Sequence, residues 1–156
     1  MALRYSHTQR GTTLVLIVSG GMLLAFGVVL FTLSTTKQST PPFVWAVVGF
    51  AMVISIVSAW IFSTLHVEVD DQAVRWHFGQ GVPRFSLPLH EIQSARVVNN
   101  PWYYGLGIHY TPNGWLYNVS GDSAVEIVRL EGRRVRIGSD EPEALAAAIA
   151  SARGAT

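Results

Sequence analysis

Two long apolar runs fill the first third of the chain, and a two-residue alternation of apolar and polar positions takes over after them. From Gly11 to Thr36 no side chain is ionisable, and Leu14 to Leu33 is apolar apart from Ser19, Gly20, Gly21, Gly27 and Thr32. A helix rising about 1.5 Å per residue crosses a hydrocarbon core of roughly 30 Å in about 20 residues. The run therefore predicts a transmembrane helix over 12–34. A second uncharged run, Phe43 to Leu65, follows the polar stretch TTKQSTPP, whose Pro41 and Pro42 suit a turn and the start of a helix. The expected organisation is a tail over 1–11, a span over 12–34, a loop over 35–42, a second span over 43–65 and a folded domain over 66–156. The first run exceeds the roughly 7–15 residues of a signal-peptide core, and no small-x-small cleavage site precedes the loop. A buried soluble hairpin is disfavoured because two uncharged helices leave no wet face.

Beyond Leu65 the period is two. Val67 and Val69 alternate with His66, Glu68 and Asp70, and Val74, Trp76 and Phe78 alternate with Ala73, Arg75 and His77; Asp70-Asp71-Gln72 between them makes this a hairpin. A short strand is expected over 84–87 and another over 92–98, after Pro88. Leu106, Ile108 and Tyr110 alternate in the next, and Trp115, Tyr117 and Val119 in the one after. Thr111-Pro112-Asn113-Gly114 joins these two with the residues a type I turn favours. Ser123 to Leu130 and Arg133 to Ile137 form the last hairpin. Asp140, Pro142 and Glu143 then open a helix as cap, early proline and capping-box partner, and Leu145, Ala148, Ile149 and Ala152 share one face of it. The expected fold is a membrane α-helical hairpin followed by an all-β sandwich or barrel of roughly seven antiparallel strands, closed by a C-terminal helix.

Charge divides along the same boundary. Residues 1–65 hold Arg4, Arg10 and Lys37 and no acidic residue, so they carry +3 of a chain total of +1, leaving −2 on the rest. Arg4 and Arg10 before the first span, Lys37 alone in the loop, and Arg75 and Arg84 after the second predict both termini in the cytoplasm of a bacterial plasma membrane. Within the spans, Gly21 and Ala25, and likewise Ala51, Ser55 and Ala59, repeat every four residues. That spacing allows close helix packing, either within the hairpin or between two copies. Trp45 and Trp60 lie near the two ends of the second span, where indoles favour the interface. No charge inside either span marks an ion or proton path.

Candidate chemistry is sparse. With no cysteine, disulfides, thiolate metal sites and cysteine nucleophiles are excluded. His66, His77, His90 and His109 have no partner at ligand spacing and no catalytic motif surrounds them, so no catalytic residue, metal or cofactor is expected; His77 is expected to pair with Glu68 across the first hairpin. Arg129, Arg133, Arg134 and Arg136 form the one basic cluster. It reads either as a patch for anionic lipid headgroups or as a solvated edge balanced by Glu126 and Glu131. A domain charge of −2 without a basic stripe disfavours nucleic acid. Trp102, Tyr103 and Tyr104 cannot all point to one side of a strand. They read either as an anchor for a protein partner or as a plug folded over Trp115 and Tyr117.

The runs NPWYYGLGIHY (Asn100 to Tyr110), GWLYNVSG (Gly114 to Gly121) and RRVRIGSDEPEALAAAI (Arg133 to Ile149) resemble the bacterial pleckstrin-homology-like (PH-like) domains of small membrane proteins. The resemblance covers residues 60–152. It implies a seven-strand barrel-like sandwich capped by the terminal helix, and a binding or assembly role in place of a reaction. Where phosphoinositide-binding relatives carry cations, this chain has Asp70-Asp71, so inositol phosphates are not expected by that route. The function expected is a non-enzymatic, membrane-anchored module that offers its domain to a protein partner or to a second copy. The alternative is an anionic-lipid sensor built on Arg133 to Arg136.

Overall fold

The computed structural model describes residues 2–36 and 41–154; Lys37, the loop charge of the topology argument, lies outside them. Helices α1 (Thr12–Thr36) and α2 (Pro42–Ile61) lie side by side and are each long and apolar enough to cross a membrane. Proline at the first turn of α2 costs no hydrogen bond, since that amide has no helical partner.

The segment 1–11, expected as a tail, is instead strand β1 (Leu3–Arg10), paired antiparallel with β2 (Thr64–Asp70) so that Arg10 faces Thr64. Its sequence, LRYSHTQR, is polar on both faces and gives no hydrophobic alternation. Polar contacts hold it: Arg4 Nε donates to Asp71 Oδ1 at 2.6 Å, the Ala2 amide donates to Asp71 Oδ2 at 2.9 Å, and Thr8 Oγ1 shares a hydrogen bond with His66 Nδ1 at 2.6 Å. The Ala2 amide first, and then Arg4, hold the Asp71 carboxyl below its ordinary pKa. The second span also ends earlier than expected. Helix α2 stops at Ile61, and Leu65 is fully buried in the sheet core as part of β2.

Short junctions therefore join both helices to neighbouring strands. Gly11 alone separates β1 from α1, and its amide donates to the Ser63 carbonyl at 2.7 Å. A Cβ on Gly11 would overlap the Phe62 carbonyl oxygen, so only glycine lets the two crossings from sheet to helix lie this close.

Two sheets make up the domain. The first has the order β1-β2-β3-β4, with β3 at Ala73–Phe78 and β4 at Arg84–Pro88. The second has the order β5-β8-β9-β7-β6, with β5 at Ile92–Asn99, β6 at Gly107–Thr111, β7 at Gly114–Asn118, β8 at Ser123–Arg129 and β9 at Arg134–Gly138. All pairings are antiparallel except β7 with β9. The described residues thus form nine strands where seven were expected, and the two sheets do not close into a barrel. Alternating apolar residues from both sheets meet in one core, among them Leu65, Val67, Val69, Trp76 and Phe78 from the first and Val125, Ile127 and Ile137 from the second.

Helix α3 (Pro142–Gly154) buries Leu145, Ile149 and Ala152 against β1, β2, β5 and β8. It fills the seam where the β1 side of one sheet faces the β5 side of the other. Its approach differs from the expected capping box: Ser139 Oγ accepts from the Glu141 amide at 3.0 Å, and Asp140 meets His7 Nε2 at 2.7 Å. His77 does not pair with Glu68. Register places it opposite His66, with ring centroids 4.9 Å apart, and Glu68 opposite Arg75. Burial and then the neighbouring His66 lower the His77 pKa.

Candidate functional site

The junctions with α1 and α2 define two ends of the domain. Arg10, Thr64, Phe78 and Arg84 mark the helix-proximal end of the first sheet. Thr13 Oγ1 shares a hydrogen bond with Ser120 Oγ at 2.9 Å, and Gln9 Nε2 donates to the Ser120 carbonyl at 2.8 Å, which puts the β7–β8 loop at that same end. Strand β8 runs away from it for 7 residues, about 20 Å at ~3.3 Å per residue. The β8–β9 turn, with Leu130, Glu131, Gly132 and Arg133, is therefore at the far end.

Helix α3 fills one seam between the sheets; the opposite seam, where β4 faces β6 and β7, is open. A cleft of about 800 Å³ lies there. Aromatic rings line it as a ladder built by register. Tyr110 stands opposite Trp115 across the β6–β7 hairpin with ring centroids 5.6 Å apart, and Trp115 stacks along its own strand on Tyr117 at 6.5 Å. Phe85 of β4 meets Tyr117 at 4.5 Å and stacks on Trp76 at 5.6 Å. Burial raises the Tyr117 pKa, so its phenol is neutral at physiological pH.

Two donors enclosed beneath the cleft lining lack an acceptor among the described residues. Trp76 is buried and its indole N–H finds no acceptor among the described residues, and neither does Arg129 Nε. Arg134 is exposed on the rim with no side-chain partner among the described residues, while Arg133 meets Glu131 at 3.4 Å. Among the described residues strand β4 pairs only with β3, so its other edge, beside the cleft, carries unpaired backbone groups.

The four arginines grouped in the sequence do different things. Arg136 is buried and donates from Nε and Nη2 to Glu126 Oε2 at 2.9 and 2.7 Å, and from Nη1 to Asn100 Oδ1 at 2.9 Å. Arg129 pairs with Glu91. Only Arg133 and Arg134 project outward, at the end remote from the helices. The pairing of Arg136 with Glu126 follows from period two and hairpin register, but its burial does not, because β5 and Arg96 cover that face from a distant part of the chain.

Trp102–Tyr104 is a single 3-10 turn, and it does not plug the sheets over Trp115 and Tyr117. Trp102 is 89% exposed and Tyr103 67%. Tyr104 reaches back along the β6 edge, where its hydroxyl accepts from Asn113 Nδ2 at 2.9 Å. In the helical hairpin, Gly21, Ala25, Ala51 and Ser55 do face one groove of about 380 Å³ between α1 and α2, and Ala59 lines its continuation. A Cβ on Gly21 would meet nothing within 4 Å, so the glycine is not required there by close backbone contact.

The aromatic ladder and the orphan donors escaped the sequence reading because they join β3, β4, β6, β7 and the β8–β9 turn. The alternation of Ile108 with Tyr110, of Trp115 with Tyr117 and of Trp76 with Phe78, and the grouping of Arg129 with Arg134, each pointed to a part of it. Among the described residues no group of three or more His, Cys, Asp or Glu is placed to hold a metal. No family model, curated protein or solved structure matches the chain.

Proposed function

We propose that this protein is a membrane-anchored binding module, not an enzyme. Helices α1 and α2 span the plasma membrane with both termini cytoplasmic, and a PH-like domain presents the open cleft to an extended, acidic segment of a protein partner. A second copy of the chain is the other candidate occupant.

The spanning reading is supported by the surface of the hairpin. Leu16, Ile17, Leu23, Leu24 and Phe31 of α1 and Phe43, Phe50 and Ile56 of α2 are exposed. An apolar surface this continuous is unfavourable in water and suits lipid. The PH-like reading draws on two packed sheets with a terminal helix in one seam, although nine strands and the parallel β7–β9 pair differ from the expected pattern.

The single observation that carries the binding reading is the open aromatic-lined cleft with Arg134 on its rim. Aromatic faces supply contact area at low entropic cost. Arg134, exposed on the rim without a side-chain partner among the described residues, suits an acidic group, and the open β4 edge suits main-chain pairing by an added strand. The anionic-lipid alternative has Arg133 and Arg134 in its favour, but they sit about 20 Å from the end that joins the helices.

The test is selection of a random decapeptide display library on the full chain in lipid nanodiscs. Acidic sequences are expected to be enriched. Trp115→Ala and Arg134→Glu should each weaken their binding at least about tenfold, the change expected on losing roughly 1.4 kcal/mol or more at a contact hot spot, while Leu3→Ala on the far β1 edge leaves it unchanged. Failure to enrich, or binding indifferent to both cleft substitutions, overturns the reading.

A further inference from the structure

The helix-proximal end of the domain carries apolar groups that its own core does not use. Trp102 and Tyr103 are exposed on the turn after β5, and Val82, on the β3–β4 loop, is 70% exposed. Both loops sit against the helical hairpin. Pro101, Trp102, Gly105 and Leu106 share a largely apolar groove with Thr13, Leu14, Ile17 and Val18 of α1. Gly79, at the start of the Val82 loop, packs so closely on the end of α2 that a Cβ would lie 2.9 Å from the Trp60 carbonyl oxygen.

The length of α1 sets the depth of these groups. At 25 residues it extends about 37 Å, roughly 7 Å more than the hydrocarbon core. Its first turns therefore lie in the headgroup layer if the rest of the helix spans the core. Val18, the deepest residue of the shared groove, is about 9 Å along the helix from Thr12. Trp102 thus stands at the level where indole and phenol rings partition best, with an apolar body on the acyl side and an N–H or O–H on the wet side. Trp60, exposed near the end of α2, belongs to the same level. Arg10, exposed at the end of β1, adds a cation where anionic headgroups lie.

We propose that the Trp102–Tyr104 turn, together with Val82, is a lipid-interface anchor that seats the β domain on the bilayer and holds the cleft pointing away from it. The occupant of this surface is lipid because the surface is continuous with the apolar flank of α1. Tyr104, tied to Asn113, fixes the turn to the sheet, so insertion of Trp102 and Tyr103 positions the sheet itself and not a loose loop.

This inference rests on the spanning reading, and the experiment separates the two. The chain has no cysteine, so Tyr103→Cys and, as a control on the far turn, Leu130→Cys each give one labelling site for an environment-sensitive fluorophore. The full chain is reconstituted into vesicles of phosphatidylcholine and phosphatidylglycerol. If it does not float with the vesicles, the spanning reading fails. If it floats, the label at 103 is expected to emit to the blue of the label at 130, to be quenched several-fold more by lipids spin-labelled near the headgroup, and to resist aqueous iodide. A label at 103 that iodide quenches as strongly as at 130 overturns the anchor. A label shielded from both quenchers also overturns it, because protein and not lipid then covers the turn.

Discussion

Replacing Glu126 with glutamine destabilises the β domain by about 3 to 5 kcal/mol, the cost of removing one partner from a buried ion pair. Denaturant titration of the full chain in detergent, followed by tryptophan fluorescence, measures it. Glu126 is fully buried in β8 and accepts from two arginines, Arg136 on Oε2 and Arg96 on Oε1, the latter at 3.0 and 2.6 Å. Glutamine keeps the shape but removes the charge, which leaves the Arg136 guanidinium buried without a counterion. The double variant Glu126→Gln with Arg136→Met should recover part of the loss, because no charge is then buried without a counterion. A loss below about 1 kcal/mol, the level of an exposed pair, would contradict the assignment.

The same site sets an acid dependence. Burial alone would raise the Glu126 carboxyl, but the hydrogen bonds from Arg136 and Arg96 more than offset it, and its pKa lies below the ordinary value of 4.5. A carboxyl depressed on folding contributes stability that is complete above the unfolded value and fades as pH falls toward the folded one. The unsubstituted chain should therefore lose stability below pH 4.5 more steeply than Glu126→Gln. Parallel pH profiles would remove Glu126 as the titrating group.

The second large effect is expected at Gly114, which opens β7 at the far end of the cleft. Its φ is +97°, and a Cβ there would overlap the backbone carbonyl of Arg134. The close approach comes from the parallel pairing of β7 with β9, in which Trp115 stands beside Val135. Gly114→Val combines left-handed strain with overpacking, each worth roughly 1 to 3 kcal/mol, and should cost about 2 to 6 kcal/mol in the same titration. Because the overlap pushes β9 from β7, it should also spread the aromatic ladder and weaken whatever binds there. A Gly114→Val chain with unchanged stability would contradict the β7–β9 register.

What the sequence conveyed and what it withheld divide by range. Local periodicity found the two apolar helices, the β2–β3, β6–β7 and β8–β9 hairpins and the amphipathic α3, since each signal lies within one continuous stretch of chain. It missed β1, where no face of LRYSHTQR is apolar and the pairing with β2 skips over both helices. It extended the second span through Leu65, because a buried strand end and a membrane helix are equally apolar over a few residues. It grouped Arg129, Arg133, Arg134 and Arg136 by proximity, whereas Glu126 of the same hairpin together with Glu91 and Arg96, supplied by other segments, decides which of them are spoken for. The cleft was visible only as separate aromatics, since the seam exists only where two sheets fail to meet.

The central claim, that the cleft at the far end is where a partner docks, is tested most directly in living cells. A photoreactive amino acid is placed at Tyr110 in the cleft, at Leu3 on the far β1 edge and at Trp102 beside the helices, in the full-length chain at native expression. The expected result is a discrete protein crosslink from Tyr110 that disappears with Arg134→Glu at equal protein level, none from Leu3, and lipid adducts from Trp102. A protein crosslink from Trp102 with none from Tyr110, or a Tyr110 crosslink that survives Arg134→Glu, would contradict it.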